Sequence, residues 1–133
     1  MMATYLWVAA GSALGGMARF WLATAVAAVT GPAFPWGTLL INVVGSLVLS
    51  ILVSRLWPVS AGWVRAGLGP GLVGGFTTFS AVMVSMVTLA ASSQILLALG
   101  YLVATLVLGF GAAALGFRIG RRRNASPTIE VDE

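Results

Sequence analysis

Apolar residues run in four long blocks along the chain, separated by short stretches rich in proline, tryptophan or arginine. The blocks cover about residues 5–29, 37–56, 66–91 and 95–117. At ~1.5 Å per helical residue, each is long enough to cross a hydrocarbon core of ~30 Å. Between the first two lies Thr30 to Trp36, where Pro32 and Pro35 stop a helix and Trp36 suits the membrane interface. The second connection, Arg55 to Arg65, holds Trp57 and Trp63 between its terminal arginines. Ser92 to Gln94 forms a short uncharged turn, and residues 118–133 read as a basic, then polar, disordered tail. The pattern predicts an all-α membrane protein, a single domain of four transmembrane helices spanning residues 1–133.

The third block departs from a simple spanning helix. Gly74-Gly75-Phe76-Thr77-Thr78-Phe79-Ser80 falls near its middle, with Gly69-Pro70-Gly71 just upstream. Glycine has poor helix propensity and threonine hydroxyls compete for backbone partners, so a break at mid-membrane depth is expected. An unpaired backbone group in hydrocarbon costs several kcal/mol, and breaks therefore persist where the freed carbonyls are buried in protein or line an ion site. A glycine patch for close helix packing would account for Gly71 and Gly75, but not for Thr-Thr-Phe-Ser directly after them. Crowding the turn at Gly74 with a β-branched residue is expected to weaken function, and Thr77→Ser to be milder.

Composition narrows the chemistry. Of 133 residues, 59% are hydrophobic and 8% charged, which leaves no polar stretch to build a soluble domain. The N-terminus lacks the basic region and cleavage site of a removable signal, so the first block is expected to stay in the mature chain. With no cysteine and no histidine, disulfides, thiol chemistry and imidazole catalysis are excluded. The carboxylates, Glu130, Asp132 and Glu133, all lie in the last four residues. The basic charge sets topology rather than marking a nucleic-acid partner: Arg55, Arg65, Arg118, Arg121, Arg122 and Arg123 share one side of a four-span chain. Both termini are therefore expected in the cytoplasm, in a multi-pass protein of the inner or plasma membrane.

No general base, thiol, metal-ligand cluster or phosphate loop is present, so an enzyme is not expected. A small four-span multidrug-type exporter would need an intramembrane carboxylate, which this chain lacks. A non-transporting assembly subunit is a further alternative. The polar groups that remain favour an anion. Asn42 either bonds a neighbouring helix or turns its amide toward a passing ion. Thr77, Thr78, Ser80, Tyr101 and Thr105 bring hydroxyls, and Phe76 and Phe79 either pack ordinarily or present positive ring edges. Carbonyls freed by the break suit a hard cation such as Na⁺, and two chains meeting there would double their number. Arg19, inside the first block after the small pair Gly11 and Gly15, either snorkels to the interface or reaches a water-filled vestibule.

Three motifs occur in order along these blocks: Gly15-Gly16-Met17-Ala18-Arg19-Phe20, Gly37-Thr38-Leu39-Leu40-Ile41-Asn42-Val43-Val44-Gly45, and Gly71-Leu72-Val73-Gly74-Gly75-Phe76-Thr77-Thr78-Phe79-Ser80. With them the chain resembles the Fluc (CrcB) family of fluoride channels over nearly its whole length. The resemblance implies an antiparallel dimer with two fluoride pathways and a structural, untransported Na⁺ at its centre. It further implies passive export of fluoride that entered the cell as HF. By position, the backbone carbonyls of Gly74 and Thr77 resemble the Na⁺ ligands. Asn42 is similar to the pore asparagine and Phe79 to the first phenylalanine of the fluoride path. Thr78 and Ser80 belong to its polar track, and Tyr101 and Thr105 resemble the fourth-helix tyrosine and hydroxyl positions.

Three positions depart from the family pattern: Val82 where a second phenylalanine is usual, Ser85 where an acidic residue is common, and Gly109 where a hydroxyl is expected. Two assemblies follow, a homodimer or a heterodimer with a paralogous, oppositely inserted subunit. The one-sided arginines and the replaced positions favour the second.

Overall fold

A computed structural model describes residues 2–121. Arg122, Arg123, the three carboxylates and the polar tail expected to be disordered lie outside the described residues. The chain is all-helical, with α1 (Met2–Thr30), α2 (Trp36–Arg55), α3 (Gly62–Ala66), a π-helical turn (Gly67–Val73), α4 (Gly74–Phe76), α5 (Ser80–Ala91) and α6 (Ile95–Arg121). Four stretches are long and apolar enough to cross a membrane: α1, α2, the composite span Gly62–Ala91, and α6. The protein is thus a multi-pass membrane protein. The last helix runs past the apolar block, so Arg118 and Arg121 form its final turn rather than opening a tail. Cations there favour the negative end of the helix dipole, and their stems can follow the helix out of the bilayer.

Small residues bring the backbones together. A Cβ on Gly11 would overlap the Gly67 carbonyl oxygen, and one on Gly15 the Leu72 carbonyl oxygen. A Cβ on Gly75 would lie 2.6 Å from the Ser12 carbonyl oxygen. Helix α1 therefore lies backbone to backbone against the composite span, the close approach small-xxx-small pairs permit. On the other side, α2 and α6 meet through serines and glycines: Gly116 faces Ser50 and Gly120 faces Ser54. Leu39, Val82, Leu89, Ala98 and Tyr101 fill the apolar core between α2, α5 and α6. Phe34 closes that core edge-on to Tyr101, with ring centroids 5.5 Å apart at 87°.

The break lies later than Gly69-Pro70-Gly71. Proline there does not end the helix, because the backbone widens to a π turn through Gly67–Val73. A π register changes which N–H groups the ladder needs, and it absorbs the missing proline donor. Gly74 itself is ordinary right-handed helix, φ −64° and ψ −35°. A Cβ there would find only the Gly69 carbonyl oxygen, at 3.7 Å. A single Cβ thus has room at Gly74, whereas the crowded glycine is its neighbour, Gly75.

Candidate functional site

Helical geometry ends at Thr77, which is extended at φ −78° and ψ 157°. Its N–H and its Oγ1 hydroxyl both still donate to the Val73 carbonyl, each at 2.9 Å. The next residue is held by another helix. Thr78 N–H donates to Asn42 Oδ1 at 2.9 Å, and Asn42 Nδ2 donates to the Thr78 carbonyl at 2.9 Å. The primary amide thus pairs with one peptide unit from both ends. Further on, Ala81 N–H donates to Thr78 Oγ1 at 3.2 Å, and Ser80 Oγ lies 3.1 Å from the same oxygen. In a continuous helix, Thr78 N–H would serve the Gly74 carbonyl and Ala81 N–H the Thr77 carbonyl. Both donors are diverted to side-chain oxygens, which leaves the Gly74 and Thr77 carbonyls, like those of Gly75 and Phe76 between them, without an i+4 bond. Carbonyl oxygens of this kind are what a hard cation takes, although two fall short of a full shell.

An open groove of about 570 Å³ runs along this break. Asn42, Gly74, Thr77, Thr78, Phe79 and Thr105, all singled out from the sequence, share its wall with Gly109. The Phe79 ring is 66% exposed, so it stands at the rim rather than in the core. Ser80 is also exposed and joins the site through Thr78. Thr105 is buried, its hydroxyl donating to the Tyr101 carbonyl at 2.8 Å, which leaves the oxygen able to accept.

Tyr101 does not reach the groove wall. It is fully buried, and its hydroxyl has no hydrogen-bond partner among the described residues. The hydroxyls of Ser85, Thr105 and Thr38 lie around it. Arg19 also stands apart, in a second cavity of about 280 Å³ lined by Gly16, Phe20, Thr38 and Thr78 among others. Thr78 is the one residue of the break that borders both cavities. Thr38 was not singled out as a site residue, although it sits beside both Arg19 and Tyr101. Its signal was available: a hydroxyl four residues before Asn42 on one helix face. Val82 is fully buried in the α2–α5–α6 core, so no second ring at that position borders the groove.

Comparison with known proteins gives a consistent result. Residues 6–117 match the family model described as CrcB-like protein, Camphor Resistance (CrcB). A relative from Allorhizobium ampelinum named fluoride-specific ion channel FluC is 37% identical over 123 residues, covering 90% of this chain and 98% of the relative. Proteins of the same name from Paracoccus denitrificans and Thermus thermophilus are each 38% identical, covering 91% and 90% of this chain and 97% and 96% of their own.

Proposed function

The chain belongs to the CrcB-like family, and from that membership we propose that it is a fluoride-selective ion channel and not an enzyme. The observation that carries the reading is the polar groove at the broken third span, where Asn42 keeps a spare amide N–H, in a chain whose relatives are named for fluoride conduction. Asn42 keeps one amide N–H beyond the bond to Thr78, and the Thr78 and Ser80 hydroxyls continue the polar wall. The Phe79 ring at the rim offers a positive edge that attracts an anion without binding it tightly. Thr105 extends the path along α6, and the unpartnered Tyr101 hydroxyl lies behind it. Arg19, with Thr38, lines a vestibule that meets the groove at Thr78. Its charge raises the local anion concentration in a chain with no acidic side chain among the described residues. Transport by this route is passive and carries fluoride out of the cell.

The Gly74 and Thr77 carbonyls would hold a structural Na⁺, which when bound supplies a fixed positive charge beside the anion path. Their lost helical partners make them available, and their number argues for a second subunit that brings two more. The open side of the groove argues the same way. Asn42, Thr78 and free carbonyls facing lipid would be costly, and an antiparallel subunit would cover them. Both termini lie in the cytoplasm by the arginine distribution, and the protein resides in the cell membrane.

The test is ion efflux from proteoliposomes containing the full chain, alone and with a related subunit. Fluoride release without chloride release is the expected result. Comparable chloride flux would overturn the selectivity reading, and proton-coupled drug movement would replace the channel with an exporter.

A further inference from the structure

We infer that Asn42 is a positioning residue that builds the cation site, in addition to lining the anion path: its amide keeps the third span open by taking the Thr78 N–H away from the Gly74 carbonyl. The inference rests on the channel reading above, and in particular on Na⁺ at the Gly74 and Thr77 carbonyls.

The geometry separates two jobs of one amide. The Oδ1 end accepts from Thr78 N–H at 2.9 Å, and this contact leaves the Gly74 carbonyl without its helical donor. The Nδ2 end donates to the Thr78 carbonyl at 2.9 Å, with its second N–H left over for the groove. The acceptor end therefore serves the break, and the donor end serves the anion. Without the acceptor, Thr78 N–H loses its partner in a setting where an unpaired donor is expensive. The acceptor in helical register is the Gly74 carbonyl, and closing that bond removes an oxygen from the cation site. Position along α2 supports the assignment. Gly45, one turn after Asn42, is where the Thr77 methyl packs, so α2 holds both Thr77 and Thr78 from one face.

Asn42→Asp keeps an oxygen to accept from Thr78 N–H in either protonation state but lacks the second amide N–H. Asn42→Ala lacks both ends. The readout is thermal unfolding of the purified full-length protein in detergent, titrated with Na⁺ against a bulky organic cation, with fluoride efflux measured in parallel. Wild type is expected to show Na⁺-dependent stabilisation. Asn42→Asp is expected to keep that stabilisation at the wild-type Na⁺ concentration or below, while losing most fluoride flux. Asn42→Ala is expected to need about two- to tenfold more Na⁺, the factor that corresponds to one net hydrogen bond. An unchanged Na⁺ midpoint in Asn42→Ala, or its loss in Asn42→Asp, would overturn the inference. If Asn42→Ala yields no folded protein, the Asn42→Asp titration decides alone. Absence of any Na⁺ response in wild type would instead remove the cation site itself, and this role of Asn42 with it.

Discussion

A Cβ on Gly75 would sit 2.6 Å from the Ser12 carbonyl oxygen, whereas on Gly74 it would meet only the Gly69 carbonyl oxygen at 3.7 Å. Gly75→Ala must therefore push α1 away from the composite span, and overpacking of this kind costs ~1–3 kcal/mol. Gly74→Ala is expected to change stability much less; equal loss of thermal stability in the two variants would contradict this backbone contact. A second residue-scale prediction concerns Gly45 and Thr77. A Cβ on Gly45 would overlap the Thr77 methyl, which the hydroxyl holds in place through its bond to Val73. Gly45→Ala should thus be destabilising alone, and Thr77→Ser should relieve it by removing the methyl while keeping the hydroxyl. A double-mutant cycle on unfolding should show a favourable coupling of ~0.5–3 kcal/mol, and strict additivity would refute the contact. The Gly-Gly-Phe-Thr-Thr run was legible in the sequence as a break. Which glycine is crowded was not, because crowding depends on the backbone of α1, more than fifty residues earlier in the chain. Asn42 was legible as polar and intramembrane, but its pairing with both ends of one peptide is a fact of three dimensions.

Helix pairing extends the same argument along α2 and α6. A Cβ on Gly116 would overlap the Ser50 hydroxyl and lie 2.7 Å from the Leu47 carbonyl oxygen. One on Gly109 would meet only Ser46 Oγ, at 3.8 Å, on the wall of the groove. The two glycines belong to one small-residue run in the sequence, yet one is needed for helix contact and the other leaves usable space. Gly109→Ser should therefore fold as well as wild type and restore a hydroxyl beside Thr105, so fluoride efflux should be equal or faster. Gly116→Ser should lower the unfolding temperature, and if both variants behave alike the α2–α6 register is wrong. At this scale the four spans were legible from apolar block length alone. The passage of helix through Gly69-Pro70-Gly71 was not, because propensity marks those residues as breakers while the π turn resolves the proline without a break. The helical end at Arg121 was likewise hidden, since charge reads as a boundary although arginine is a good helix former.

The whole molecule leaves its polar groove open on one side, with Phe79 66% and Phe110 74% exposed at its edge. Rings there can face lipid, but Asn42, Thr78 and the freed carbonyls require protein or water. An antiparallel subunit would cover them, and charge decides whether an identical copy can do so. A chain that inserts both ways needs nearly balanced arginines on its two sides. Here Arg55, Arg65, Arg118 and Arg121 fall at one end of the described bundle, with Arg122 and Arg123 following in sequence. Insertion should therefore be one-sided, which favours a related partner of reverse bias over a homodimer. The groove supports the same choice at Gly109: two copies would form pathways that both lack a hydroxyl there. Side-specific reporters fused at the C-terminus should place it in the cytoplasm, and the lone chain in proteoliposomes should conduct fluoride poorly until the partner is added. Neutralising Arg118 and Arg121 together with Arg122 and Arg123 should then yield mixed orientations and a gain of flux from the single chain. Mixed insertion of the unmodified chain, together with full fluoride efflux in the absence of any partner, would establish the homodimer instead.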